Sequence, residues 1–346
     1  DGIEVVQKEI EEGGFDLIVV DEANYIKTVT TRRWKALKRI VNDDTWIWLL
    51  TGTPAAQSPA DAYGLAKLVN PKSVPKYYGT FKDMVMQKVS NFTWIPRKNA
   101  QDIVFKTLQP AVRYTKEECL DLPDVTYQTR DVPLTPQQDK YYKKLKKEMF
   151  IEAAGEEITV VNAAAMLTKL LQVSAGSIYT DTKEVIQSDV KNRMTALKDI
   201  ITEASHKVIV FAPFRNSIEL LITELTKSKI TCDCIHGGIT MNKRSQIFKS
   251  FQESKDPQVL VIQPQSASHG VTLHAANVVV FWSPVVSVET YIQCCARMDR
   301  AGQRNPMTVV HLQGSPVETR VYKMLQGKIN NHVKLVDLYK EELGII

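Results

Sequence analysis

The sequence predicts an α/β protein made of two parallel-sheet lobes, the first incomplete, with helical insertions between them. Three observations carry that prediction. Short runs rich in Val and Ile are apolar at nearly every position, which reads as strands covered on both faces. Segments with apolar residues at helical spacing separate these runs, and strands alternating with helices build a parallel sheet. Of 346 residues, 44% are hydrophobic and 24% charged, an ordinary balance for a globular protein with real cores.

The elements follow in order. FDLIVVDEAN (15–24) is a strand running into two acids, and TWIWLLTGTP (45–54) is a second strand running into a turn. Only these two strands are clear in the first lobe. A parallel sheet of two strands cannot bury itself, so this part reads as half a lobe. Residues 75–205 are looser. Within them, Pro123, Pro133 and Pro136 mark 121–138 as an interdomain linker. The second lobe is the best defined: KVIVFAPF (207–214), TCDCI (231–235), QVLVIQ (258–263), NVVVFWS (277–283) and MTVVHL (307–312) are its strands. Between them, Ile218, Leu221, Ile222 and Leu225 give the stripe of a half-buried helix. The expected organisation is the C-terminal part of a first lobe over 1–120, the linker over 121–138, and a helical insertion leading into the second lobe over 139–205. The second lobe follows over 206–330 and a C-terminal helix over 331–346.

Composition excludes several classes. No apolar run approaches the roughly 20 residues of a membrane span. The net charge of +5 permits nucleic-acid binding without demanding it. The five cysteines include no CxxC pair and the histidines complete no zinc pattern, so no structural metal is expected. An odd cysteine count without a framework fits a reducing compartment, cytoplasm or nucleus, rather than secretion. No secretory leader is visible, and the chain opens at Asp1 rather than Met.

Asp21 and Glu22 directly follow the first strand, where open α/β sheets bind ligands. Adjacent carboxylates there suit a hydrated metal and an attacking water; the alternative is an ordinary loop start. Thr51, Gly52 and Thr53 place two hydroxyls at a tight turn after the second strand, able to couple the acidic site to a neighbouring domain, or forming a simple turn. QCCARMDRAGQ (293–303) carries Arg297 and Arg300 three residues apart, which predicts one helical face. Arginine suits multidentate contact with phosphate oxygens; pairing with Asp299 or Glu289 on a solvated surface is the alternative. Lys140, Lys143, Lys144 and Lys147 share one helical face, with Tyr142, Leu145 and Met149 on another. That face is either solvated or tracks phosphates. Gly237 and Gly238 in HGG (236–238) can present backbone N–H groups to a phosphate. Trp282 beside Pro284 reads as packing, with base stacking as the alternative.

Taken together, these segments resemble the Swi/Snf-like translocases of helicase superfamily 2, which have two RecA-like lobes. DEANYIK resembles their motif II, LLTGTPAAQSPADAYGLAKLVNP (49–71) motif III and its sequel, QPQSASHGVTL (263–273) motif V, and QCCARMDRAGQ motif VI. AVRYTKEECLDLP (111–123) is similar to the arginine-rich piece that closes their first lobe. The alanine after TGTP, SPADAY and HGVTL resemble the annealing-helicase branch. The resemblance covers most of the chain. Motifs III and VI are specific and motif V is looser.

The resemblance implies an ATP-dependent motor on double-stranded or branched DNA, acting as a monomer in DNA repair or replication, with ATP and Mg²⁺ as cofactors. It implies that Asp21 holds Mg²⁺ through water and that Glu22 is the catalytic carboxylate. Thr51, Gly52 and Thr53 would couple hydrolysis to lobe movement. Arg297 and Arg300 would meet the γ-phosphate, and Gln293 would connect the site to DNA. Gly270 would give the tight backbone approach of motif V near the nucleotide, and Gln265 and Ser266 would touch the DNA backbone. Two departures stand out. Asn24 occupies a position usually held by histidine or glutamine, and no GxxxxGK[ST] phosphate loop occurs anywhere. The expectation is therefore a C-terminal piece of the motor, inactive alone and completed in cis by an N-terminal half-lobe. The alternatives are a strand-separating superfamily 2 helicase on DNA or RNA, and a non-catalytic DNA-binding piece.

Overall fold

The computed structural model describes residues 3–327 except 43, 53, 56–57, 90–93, 115, 156–159, 180–184 and 268–270. Thr53, Gly270 and the helix expected over 331–346 lie outside the described residues. The chain forms two compact units, one ending at Tyr114 and one running from Thr115 to Gly327.

The first unit contains α1 (Ile3–Glu12), β1 (Leu17–Val20), α2 (Arg32–Ile40), β2 (Trp46–Leu49), α3 (Ala62–Val69) and α4 (Tyr78–Val85). An antiparallel hairpin of β3 (Met86–Lys88) and β4 (Trp94–Pro96) follows, then α5 (Ala100–Thr107). β1 and β2 pair in parallel, from Leu17 opposite Trp46 to Val20 opposite Leu49. α2 starts where Thr31 Oγ1 accepts a hydrogen bond from the Trp34 N–H at 3.3 Å. It buries Ala36, Leu37 and Ile40. One sheet face, with Ile18, Val20, Ile47 and Leu49, packs against Leu37, Leu65 and Leu68. On the other face Leu17, Val19, Trp46 and Trp48 stay exposed, Trp46 at 73%. Apolar at every position, these strands are covered on one side only among the described residues. α3 passes so close to the turn after β1 that any Cβ at Gly64 would collide with the Lys27 carbonyl oxygen. Lys27 Nζ meets Asp61 Oδ2 at 2.9 Å beside it.

The second unit contains α6 (Lys116–Cys119), β5 (Val125–Asp131), α7 (Pro136–Gly155) and α8 (Val160–Ala175). Next come the antiparallel pair β6 (Ser177–Tyr179) and β7 (Val185–Gln187), and α9 (Lys191–Glu203). β8 (Lys207–Phe211), α10 (Arg215–Lys227), β9 (Cys232–Ile235), α11 (Met241–Glu253) and β10 (Val259–Ile262) follow. β11 (Ala276–Phe281), α12 (Val288–Cys295), β12 (Met307–Gln313) and a helix over 316–327 complete it. Six strands form one sheet in the order β5-β12-β11-β8-β10-β9, every pair parallel. All five expected apolar runs are strands of it. The segment 121–138, read from its prolines as a linker, supplies the edge strand β5, in register from Val125 opposite Met307 to Asp131 opposite Gln313. Pro123 and Pro133 flank that strand rather than interrupt it, so its ladder donors survive.

Val208, Val210, Val261 and Val280 meet Leu197, Ile201, Leu221 and Leu225 of α9 and α10 in the main core. Trp282 is fully buried, and its Nε1 donates to the Ala175 carbonyl at 2.9 Å, so it packs as expected. Beside it lies a buried ion pair. Arg193, 2% exposed, donates through Nη2 to Glu318 Oε2 at 2.8 Å, and through Nη1 to the Trp282 carbonyl. The N–H groups of Gly314 and Ser315 donate to the same Glu318 oxygen at 2.8 and 3.2 Å. Removing one partner strands a buried charge. Glu318→Ala is therefore expected to cost about 3–5 kcal/mol in denaturant unfolding, and a joint apolar replacement of Arg193 and Glu318 should cost less.

Candidate functional site

Asp21 and Glu22 sit at the carboxyl end of β1. Asp21 is exposed, and its Oδ1 accepts from the Glu22 N–H at 2.8 Å. Glu22 is half-buried in the left-handed region, φ 50° and ψ 48°. For a residue with a Cβ that conformation costs about 1–2 kcal/mol and persists only where neighbours fix it. They do so here: the Ala23 N–H donates to Leu50 O at 2.9 Å, and the Leu50 N–H to Val20 O at 2.9 Å. The two strand ends are thus tied, and half-buried Thr51 and exposed Gly52 follow directly beside the acids.

Among the described residues no three His, Cys, Asp or Glu side chains converge on a metal position. One exposed carboxylate at a strand end fits Mg²⁺, which retains most of its waters, and does not fit a resident metal cage. Asn24, 4% exposed, has both side-chain amide atoms buried without a hydrogen-bond partner. Such an amide carries an unmet hydrogen-bonding demand.

The second unit places the arginines differently from the helical-face expectation. α12 begins at Ser287, whose side chain accepts from the Thr290 N–H at 3.3 Å, and it ends at Cys295. Arg297 and Arg300 lie in the turn beyond it. The chain leaves the helix at Ala296, and further along the same segment Gly302 has φ 99°. Gln303 Nε2 donates to Ala276 O at 2.9 Å, while its Oε1 accepts from the Arg304 and Asn305 N–H groups at 3.0 and 3.1 Å. Gln303 is a residue that sequence reasoning missed, although it closes the quoted motif. Arg297 is 1% exposed; its Nη1 donates to Val271 O at 3.4 Å, and its carbonyl accepts from the Leu273 N–H at 2.8 Å. Arg300 is half-buried and donates through Nε to Ala296 O at 3.0 Å. Gln293 is half-buried on α12, which packs against the 3₁₀ turn Pro264–Ala267, where Gln265 is exposed and Ser266 buried. Motifs V and VI are therefore brought together.

The HGG loop follows β9. Gly237 and Gly238 are exposed, but their N–H groups donate to Gln263 Oε1 at 3.2 Å and His236 Nδ1 at 3.0 Å. Arg244 Nη2 donates to the His236 carbonyl at 3.4 Å. Burial, then the Arg215 guanidinium, lower the His236 pKa, with Arg244 adding to the effect. Two cations separated in sequence thus gather at this loop, which no linear motif could show. On α7, Lys140, Lys143, Lys144 and Lys147 are exposed, and Lys143 pairs with Asp139 at 2.6 Å. Tyr142 is buried and Leu145 half-buried against Leu171 and Val317, so the two expected faces exist; the Met149 side chain lies outside the described residues.

Beneath α12, Tyr291 Oη and His311 Nε2 share a hydrogen bond of 2.8 Å, and Tyr322 stacks on the His311 ring at 4.5 Å between centroids. His311 is 2% exposed, and burial lowers its pKa to about 4. The unfolded chain, with a histidine pKa near 6.5, binds more protons below that pH. Stability from neutral His311 is thus full above about pH 6.5 and is lost as pH falls toward 4. The expected loss between pH 7 and pH 5 is about 2 kcal/mol. Denaturant midpoints at the two pH values should show it, and His311→Gln should reduce the difference.

The fold is that of two RecA-like α/β units, with strand-end acids and a threonine turn in the first and an arginine-bearing turn in the second. A model for the SNF2-related domain matches residues 2–200, and one for the helicase conserved C-terminal domain matches 192–302. The chain belongs to the SNF2-related family. It is 25% identical over 333 residues to the SWI/SNF-related matrix-associated actin-dependent regulator of chromatin subfamily A-like protein 1 of Xenopus tropicalis, covering 91% of this chain and 33% of that protein. It is 23% identical to the mouse DNA annealing helicase and endonuclease ZRANB3 over 353 residues, covering 95% of this chain and 31% of that one. The chain thus spans about a third of the length of these relatives. The solved C-terminal part of the Fun30 ATPase domain is similar in fold, with a TM-score of 0.50 at 14% identity, covering 59% of this chain and 89% of that structure.

Proposed function

We propose that the chain is a C-terminal part of the motor of an ATP-dependent, DNA-stimulated translocase acting as a monomer on double-stranded or branched DNA, in cytoplasm or nucleus. The observation that carries this reading is the tie between the Asp21–Glu22 turn and the strand end leading into Thr51, in a chain of the SNF2-related family. The relatives named for regulation of chromatin and for DNA annealing support DNA as substrate, and the annealing branch in particular.

The roles follow from chemistry. Magnesium, when bound with ATP, neutralises phosphate charge. Asp21 holds its hydration shell, and Glu22 orients and deprotonates the attacking water. Thr51 and Thr53 couple that site to movement. Arg300, the more accessible of the two arginines, meets charge developing on the γ-phosphate, while Arg297 holds the motif V segment and adds a second cation. Gly270 is assigned to nucleotide binding as the motif V glycine. Gln293, Gln265, the α7 lysines and the Gly237–Gly238 loop face DNA, while Ser266, expected to touch the DNA backbone, is buried and acts by holding the turn that presents Gln265. Contacts are mainly to phosphates, so sequence preference is low. A phosphate loop is supplied by residues outside these 346, and the uncovered apolar face of β1 and β2 supports such a completing segment.

ATP turnover by the intact protein with duplex, forked and single-stranded DNA tests the reading. Duplex and fork should stimulate most. Stimulation by single strands alone would favour a strand-separating helicase.

A further inference from the structure

α2 carries Arg32, Arg33, Lys35, Lys38 and Arg39 within nine residues. Arg33 is half-buried and interacts within the protein. The other four are exposed, and none forms an ion pair among the described residues. Helix periodicity puts Arg32, Lys35 and Arg39 in one stripe about 10 Å long, with Lys38 at its flank. The buried face is Ala36, Leu37 and Ile40, and Trp34 is held inward by donating from Nε1 to Gly64 O at 2.8 Å.

Helix stability accounts for only part of this arrangement. Lys38 and Arg39 in the last turn suit the helix dipole, but the first turn holds two arginines and no acid, against it, and Lys35 has like charges three and four residues away, so dipole pairing accounts for only half of the row. The outer face also lacks the aromatic or aliphatic anchor that a protein partner needs at the centre of an interface. A row of permanent cations without an apolar anchor fits a regular polyanion. We propose that the outer face of α2 is a second duplex-DNA surface, on which Arg32, Lys35, Lys38 and Arg39 contact backbone phosphates. This rests on the DNA-translocase reading and adds a surface on the first unit to the lysine face of α7.

The test is duplex affinity of the chain by fluorescence anisotropy between 50 and 200 mM salt. The variants are R32Q/K35Q/K38Q/R39Q and a charge-matched control, K8Q/K72Q/K98Q/K106Q, at exposed positions elsewhere on the same unit. Circular dichroism should show α2 retained, since the substitutions remove like-charge repulsion. The α2 variant is expected to lose at least about tenfold in affinity at 0.1 M salt, with a salt slope shallower by about 2–4 than wild type. The control should keep the wild-type slope. If wild type binds duplex and both variants behave alike, the α2 surface is refuted while the translocase reading stands. If wild type fails to bind duplex, both fail. If the α2 variant loses polyglutamate binding but keeps duplex binding, the face serves an acidic protein and the proposal is overturned.

Discussion

Replacing Glu22 by glutamine in the intact protein is expected to remove ATP hydrolysis while leaving nucleotide binding in place. The change is nearly isosteric but takes away charge and basicity, which for a general base is worth about 10²–10⁴ in rate. Geometry makes this residue the one to test. Glu22 makes no side-chain cap to the short 3₁₀ turn that follows it, so its carboxylate is not committed to holding that turn. Its left-handed backbone is fixed from outside by the Ala23 and Leu50 hydrogen bonds, which glutamine leaves intact. Nucleotide affinity measured with a fluorescent ATP analogue should stay within a few-fold of wild type. Unchanged turnover would reduce the acidic pair to a loop start.

Arg300→Ala is expected to have the largest kinetic effect, about 10³–10⁵ in turnover, the loss typical of an arginine that stabilises transition-state charge. DNA affinity without nucleotide should change little. Arg300 is a cleaner probe than Arg297, because Arg297 is almost fully buried and holds the Val271–Leu273 segment, so its removal would disturb the fold as well. The Arg300 Nε bond to the Ala296 carbonyl fixes the guanidinium plane in advance. A lysine there should rescue poorly, being a point charge rather than a planar fork. A surface-pair role predicts instead about 0–1 kcal/mol of lost stability and nearly intact turnover. A shallower salt slope with turnover preserved at saturating DNA would make Arg300 a DNA-phosphate contact.

The strands of the second unit were legible because burial on both faces leaves continuous apolar runs such as VLVI and NVVVF, which few other environments produce. The neighbourhood of Asp21 and Thr51 was legible for a related reason: adjacent parallel strands end at one edge, so residues some 30 apart in sequence meet there. Elsewhere the pattern was silent or misleading. Arg297 and Arg300 have helical spacing, but the helix stops at Cys295, and the segment beyond it is held by tertiary bonds from Leu273 to the Arg297 carbonyl and from Gln303 to the Ala276 carbonyl. β5 is an edge strand with mostly exposed residues, so VTYQTRD shows no apolar run, and its flanking prolines looked like a linker. The N–H groups of the HGG loop were expected to be available, yet Gln263 and His236 accept them. The partners lie in the tertiary structure, beyond the reach of local composition.

The central claim is movement along duplex DNA coupled to ATP hydrolysis, and a triplex-displacement assay on the intact protein tests it most directly. A third strand bound to a duplex should be displaced when ATP and Mg²⁺ are present, with the underlying duplex left paired, and Glu22→Gln should abolish displacement. Separation of the duplex strands without displacement of the third strand, or displacement that persists in the Glu22→Gln protein, would contradict the account.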